Sequence, residues 1–164
     1  MKKILITLLM VLSLGTMAWA GDQNTKLRTL ASAYRGTEGF EVVNIGGVGM
    51  GLLKAAVRAH VEDEEDRQAL ALFQGIKRLT VVDFSEAAPA DRERFVGKAK
   101  KILSQGEMLL EAKDGGETVR IYGTSSRDGS LLEDVAVLAD DALIFIRGSI
   151  RMDQVGELIK QADK

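Results

Sequence analysis

The chain has 164 residues, no cysteine, one histidine and a formal net charge of −2 at pH 7. That length makes one domain able to bury a sizeable core. The missing cysteines exclude disulfides and thiol chemistry, the lone histidine excludes a histidine-based zinc cluster, and the mild acidity gives no electrostatic footprint for nucleic acid or an anionic surface.

Lys2 and Lys3, the apolar run from Ile4 to Met17, and the small-residue site Ala18-Trp19-Ala20 read as an export leader cleaved before Gly21. The run is shorter than the roughly 20 apolar residues of a spanning helix, and no cysteine follows it to carry a lipid. The expected domains are thus a leader over 1–20 and one folded unit over 21–164. Its expected location is periplasmic or secreted, without a membrane span after processing. Trp19 is the only tryptophan, so the processed protein should contain none.

Asn24 or Thr25 is placed to cap a first helix, with Leu27, Leu30, Ala31 and Tyr34 at i, i+3, i+4 and i+7. Gly36 and Gly39 end it. "FEVVNI" (40–45) is apolar on both parities and reads as a covered strand. Leu52, Leu53, Ala56, Val57, His60 and Val61 form a helical stripe that breaks at Glu62 to Asp66 and resumes to Phe73. "IKRLTVVDF" (76–84) is a second strand. Pro89 opens a third helix, where its missing N–H costs nothing, and Phe95, Val96, Ala99, Ile102 and Leu103 form its buried face.

The period then changes from helical to alternating. "EMLLEAK", "TVRIYG", "LLEDVAVLA" and "ALIFIRGSI" are four strands, separated by Asp114-Gly115-Gly116, Asp128-Gly129 and Asp140-Asp141. Such short turns force antiparallel pairing. Ile144, Ile146 and Ile150 share one parity, taken as inward together with Val135, Val137 and Ala139, and Arg147 lies on the other. Gly148 sits where a helix or neighbouring side chain approaches closely. A last helix starts near Asp153. The expected fold is α+β: a mixed, mostly antiparallel sheet of about six strands with helices packed on one face.

"IGGVGMGLLK" (45–54) has the strand–glycine–helix context of a dinucleotide loop, but its spacing is not G-x-G-x-x-G. No acidic residue ends a next strand about 20 residues on, and no G-K-[ST] occurs anywhere. The bland reading is a loop that needs positive φ and then close helix–sheet packing. "EDEED" (62–66) lacks calcium-loop spacing and reads as a solvated face favoured by the helix dipole. His60 reads as a packing residue. "GTSSR" (123–127) is not a nucleophile elbow, and Ser125 and Ser126 sit beside a turn where hydroxyls bond backbone. Catalytic, cofactor-binding and metal residues are each assigned as none, and no cofactor is expected.

"VRIYG", "LLEDVAVLADDALIFIRGSI" and the Asp-led helix after them resemble an exported family common in Bacteroidetes, domain of unknown function four-two-five-two. The likeness runs back through "EMLLEAKDG" and "GIKRLTVV" to "FEVVNI", over most of residues 25–162. Its motifs are structural: the strand cores, Tyr122-Gly123, Gly148 and Asp153. The glycines at 46–51 depart from it, since relatives have Ser and larger residues there. The resemblance implies an envelope location and carries no catalytic residue to transfer.

The functional expectation is a non-enzymatic interaction or ligand-binding module of the cell envelope, its partner an envelope protein or small ligand. Leu109, Tyr122, Leu132, Leu143 and Phe145, taken as outward, carry more apolar bulk than a solvated face needs, so helices or a partner must cover them. The alternative is a small carboxylate-dependent periplasmic hydrolase.

Overall fold

The structure, a computed structural model, describes residues 20–59, 67, 70, 71 and 74–153. The leader before Ala20, His60, the run Glu62 to Asp66 and the body of the closing helix lie outside these residues. In chain order the elements are α1 (Ala20–Ala33), β1 (Glu41–Ile45), α2 (Gly47–Ala59), β2 (Ile76–Asp83), α3 (Pro89–Leu103), β3 (Glu107–Asp114), β4 (Glu117–Ser125), β5 (Leu131–Leu138) and β6 (Ala142–Arg151). Among the described residues no helix is long and apolar enough to cross a membrane.

The six strands form one sheet in the order β1-β2-β6-β5-β4-β3. This is the expected α+β class. Every pairing is antiparallel, including β1 with β2. Two-residue and short polar turns explain this for the last four strands, with Gly115, Gly116 and Gly129 supplying the positive φ those turns need.

Both faces of the sheet are apolar, and each has its own core. The larger lies under α1 and α3, where Leu27, Tyr34, Phe84, Phe95, Leu103, Tyr122, Leu143 and Phe145 pack together. Within it the rings of Tyr34 and Phe40 lie 4.8 Å apart, and those of Tyr34 and Phe95 meet edge-on at 5.0 Å. Such pairs contribute about 0.5–1.5 kcal/mol each beyond the area they bury. The second core, on the opposite face, joins Met50 of α2 to Ile121, Leu132, Val135, Val137, Ile146 and Ile150. So the helices are divided between the faces, α1 and α3 on one and α2 on the other.

This division corrects the reading of the meander. Tyr122, Leu143 and Phe145, taken as outward, belong to the larger core, and the covering is intramolecular: α1 and α3. Leu109 and Leu132 belong with the second core instead. Simple alternation fails because the register shifts between Met108 and Leu110, between Tyr122 and Thr124, and between Glu133 and Ala136. Each bulge moves the residues beyond it to the other face. Ile146 is buried, and Arg147 is exposed although it shares its parity with the buried Leu143 and Phe145.

Two further expectations change. α1 begins at Ala20, so Asn24 is inside the helix rather than capping it, and its Nδ2 donates a long hydrogen bond of 3.5 Å to the Ile146 carbonyl. The glycines of 46–51 need no positive φ, since none is among the positive-φ residues. Gly47, Gly49 and Gly51 lie within α2, and close packing is felt only at Gly49, where a Cβ would sit 3.0 Å from the Ile45 side chain.

Candidate functional site

α1 and α3 turn their apolar stripes down to the sheet, and their flanks face each other across a groove. Leu27, Leu30, Ala31 and Tyr34 of α1 are buried, as are Phe95, Ala99 and Leu103 of α3. One step round each helix stand Thr25, Lys26, Thr29 and Ala33, opposite Lys98, Lys101 and Ile102, with Leu30 as part of the floor. The spacing of the helices is fixed at one end by Gln23. Its side-chain amide donates to the carbonyls of Ile102 and Leu103 at 3.4 and 3.3 Å, and a Cβ on Gly106 would meet it at 2.6 Å. At the other end Tyr34 packs on Phe95.

The groove is a shallow trough open to solvent, about 470 Å³ in volume, and the surface it exposes is mainly apolar despite the lysines and threonines along it. Three lysines line it, and no carboxylate does. Their alkyl stems lie along the apolar walls while the ammonium heads reach water. Lys26 Nζ donates to Gln105 Oε1 at 3.0 Å, and Lys98 Nζ stands 5.5 Å from the centre of the Tyr34 ring. In a chain of net negative charge this is a local reversal of sign. Chemically the arrangement offers an apolar trough beside three ammonium groups, with the Thr25 and Thr29 hydroxyls as the other polar side chains in its walls. The sequence signal for it is Lys98, Lys101 and Ile102 at i, i+3 and i+4, a mixed flank that a search for the buried stripe passes over.

A second polar feature lies at the β5–β6 bulge. Asp134 is the only non-glycine residue with positive φ among the described residues, at 49°. Its carboxylate accepts the Gly148 N–H at 3.3 Å. Burial lifts its pKa above the usual carboxylate value, with the neighbouring Glu133 charge adding to the rise and Arg147 and Lys77 opposing it. A raised native pKa favours the protonated fold. Its stabilising contribution is full below the unfolded carboxylate pKa and is lost as pH rises through the native value. At neutral pH the charge is therefore a cost. Asp134→Asn keeps an acceptor for Gly148 and a residue that tolerates left-handed φ, so its melting temperature at pH 7 should equal or exceed that of the wild type. Its stability should also vary less between pH 4 and 7. A lower melting point at pH 7 that persists at pH 4 contradicts this role.

The serines of "GTSSR" serve the turn, as expected. Ser125 Oγ donates to the Ser126 carbonyl at 3.2 Å, and Ser126 Oγ to Asp128 at 2.6 Å. The Ser126 and Ser130 hydroxyls, with the Ser130 N–H, hold the Asp128 carboxyl down at about 2. Asp128 therefore stays ionised as a turn anchor, and neither it nor Asp134 lines the groove.

No curated protein matches the chain. The sequence profile of the family described as Domain of unknown function (DUF4252) matches residues 34–158, which span the whole sheet and α2 and α3. That match covers well over half of the chain, and the chain belongs to the DUF4252 family.

Proposed function

We propose that this chain is an exported cell-envelope protein that binds rather than catalyses, and that the groove between α1 and α3 takes an amphipathic anion: an aliphatic body with a carboxylate or phosphate head. The observation that carries this reading is an apolar trough lined by Lys26, Lys98 and Lys101 with no carboxylate among its lining residues. Apolar walls reward the aliphatic part in proportion to the area covered, and the ammonium groups select the sign of the head group. Export rests on the leader pattern of Lys2, Lys3, the apolar run and Ala18-Trp19-Ala20.

Sign selection is testable by nuclear magnetic resonance titration with dodecanoate and with dodecyltrimethylammonium. Amide shifts should cluster in residues 25–33 and 98–102 for the anion. Each exposed charge contact contributes about 0.2–1 kcal/mol, so the double variant Lys98→Glu, Lys101→Glu should weaken dodecanoate by about tenfold and improve the cation. Equal affinity for the two head groups in the unaltered protein removes the lysines from the reading.

The rival, a carboxylate-dependent hydrolase, draws on the raised carboxyl of Asp134 beside Glu133. It ranks second because that carboxyl is committed to the Gly148 N–H and stands outside the groove.

A further inference from the structure

The sheet has two edges, β1 and β3, and they are defended very differently. An edge strand presents unpaired backbone donors and acceptors, and charge or a bulge is what normally discourages another strand from adding to it. β3 has both. Glu111 pairs with Lys113 at 3.3 Å and with Arg120 at 3.4 Å, and the register of β3 shifts between Met108 and Leu110.

β1 has neither device. Its register against β2 is unbroken from Glu41↔Asp83 to Ile45↔Leu79, and its only charge is Glu41 at the start. Among the described residues, no hydrogen bond beyond that ladder engages the backbone of β1. The described residues include four exposed large hydrophobics, and three of them belong to β1 and the helix that follows it: Val43 at 42 %, Val48 at 83 % and Leu52 at 69 %. Val48 and Leu52 lie on the side of α2 away from the buried Met50. Gly47 and Gly51 have open space around them. Each costs about 1 kcal/mol relative to Ala in a helix, and a helix without side chains at these positions lets another come close.

We propose that β1 pairs antiparallel with β1 of a second copy of this chain, joining two six-stranded sheets into one. A two-fold axis through Val43 makes the strand its own complement. Val43 meets its symmetry mate, Val42 meets Asn44 and Glu41 meets Ile45, so no like charges face each other. The same axis keeps both α2 helices on one side of the joined sheet, where their exposed apolar residues have a surface to share. Backbone pairing supplies the attraction, and the apolar side chains at the seam supply the burial.

Sedimentation equilibrium of the purified protein should give twice the chain mass. Val43→Lys, which puts a charge on the edge, should raise the dimer dissociation constant at least tenfold without lowering the melting temperature of the monomer. Met108→Lys on the opposite edge should leave the dimer intact. Hydrogen exchange needs no variant: amides of residues 41–45 should gain protection as the protein is concentrated, and those of 107–114 should not. A monomer at every concentration, a dimer indifferent to Val43→Lys, or one broken by Met108→Lys overturns the proposal. So does concentration-dependent protection confined to β3.

Discussion

Phe145→Ala should lower the unfolding free energy by about 3–5 kcal/mol, the usual range for removing a large aromatic from a packed interior. Phe145 is 2 % exposed and stands in the middle of β6, opposite Thr80 on β2 and Ala136 on β5. It belongs to the core that holds Phe84 and Phe95 under α1 and α3. The truncation therefore leaves a cavity in the centre of the sheet, where neighbours on both sides are fixed by the ladder. Arg147→Ala, two residues along the same strand and exposed, should change stability within roughly 0.5 kcal/mol. Urea midpoints compared at equal slope separate the two. A Phe145→Ala loss as small as that of Arg147→Ala contradicts the assignment of this parity to the larger core.

Gly148→Ala should cost about 2–6 kcal/mol, combining backbone strain of about 1–3 with over-packing of about 1–3. Gly148 has φ 131°, a conformation that residues with a Cβ rarely adopt. An added Cβ there would collide with the Gly75 carbonyl and sit 2.9 Å from the Lys77 nitrogen. The crowding is reciprocal, because a Cβ on Gly75 would collide with the Ser149 carbonyl. The close neighbour is thus the backbone of β2 and its approach, rather than the helix or side chain that the sequence suggests. Gly129→Ala serves as the comparison. It also has positive φ, at 70°, but open space around it, so it should be the milder of the two by thermal melting. The reverse order would place the strain elsewhere than at the β2–β6 crossing.

These two residues show where the sequence is readable and where it is not. Pro89 and the stripe Phe95, Ala99, Leu103 announce α3 because a helix repeats its buried residues at three and four, and the glycine turns announce the meander because few other residues adopt positive φ. Strand boundaries follow directly. Which face each strand residue takes does not, since a single bulge inverts the alternation beyond it, and the bulges near Leu109, Gly123 and Asp134 carry no local signature of their own. Leu109 and Leu132 change sides for that reason, while Tyr122 keeps its face beside Ala136 and Phe145 and is covered by α1 and α3. The glycines at 47, 49 and 51 mislead in the opposite sense, resembling a loop motif while folding as the start of α2. The groove is harder still. Lys26 and Lys98 are far apart in sequence and become neighbours only when Gln23 and Tyr34 set the distance between two helices.

The reading of this chain as a binding module stands or falls with that groove, and Ala33 gives direct access to it. Ala33 is exposed, lines the trough and ends α1, so Ala33→Trp fills the space without touching either core. Isothermal titration of dodecanoate below its micelle concentration, into the unaltered protein and into Ala33→Trp, is the decisive comparison. Saturable one-site binding is expected in the first. Its loss is expected in the second, at an unchanged melting temperature. Equal affinity in the two proteins, or no saturable heat in either, contradicts the account.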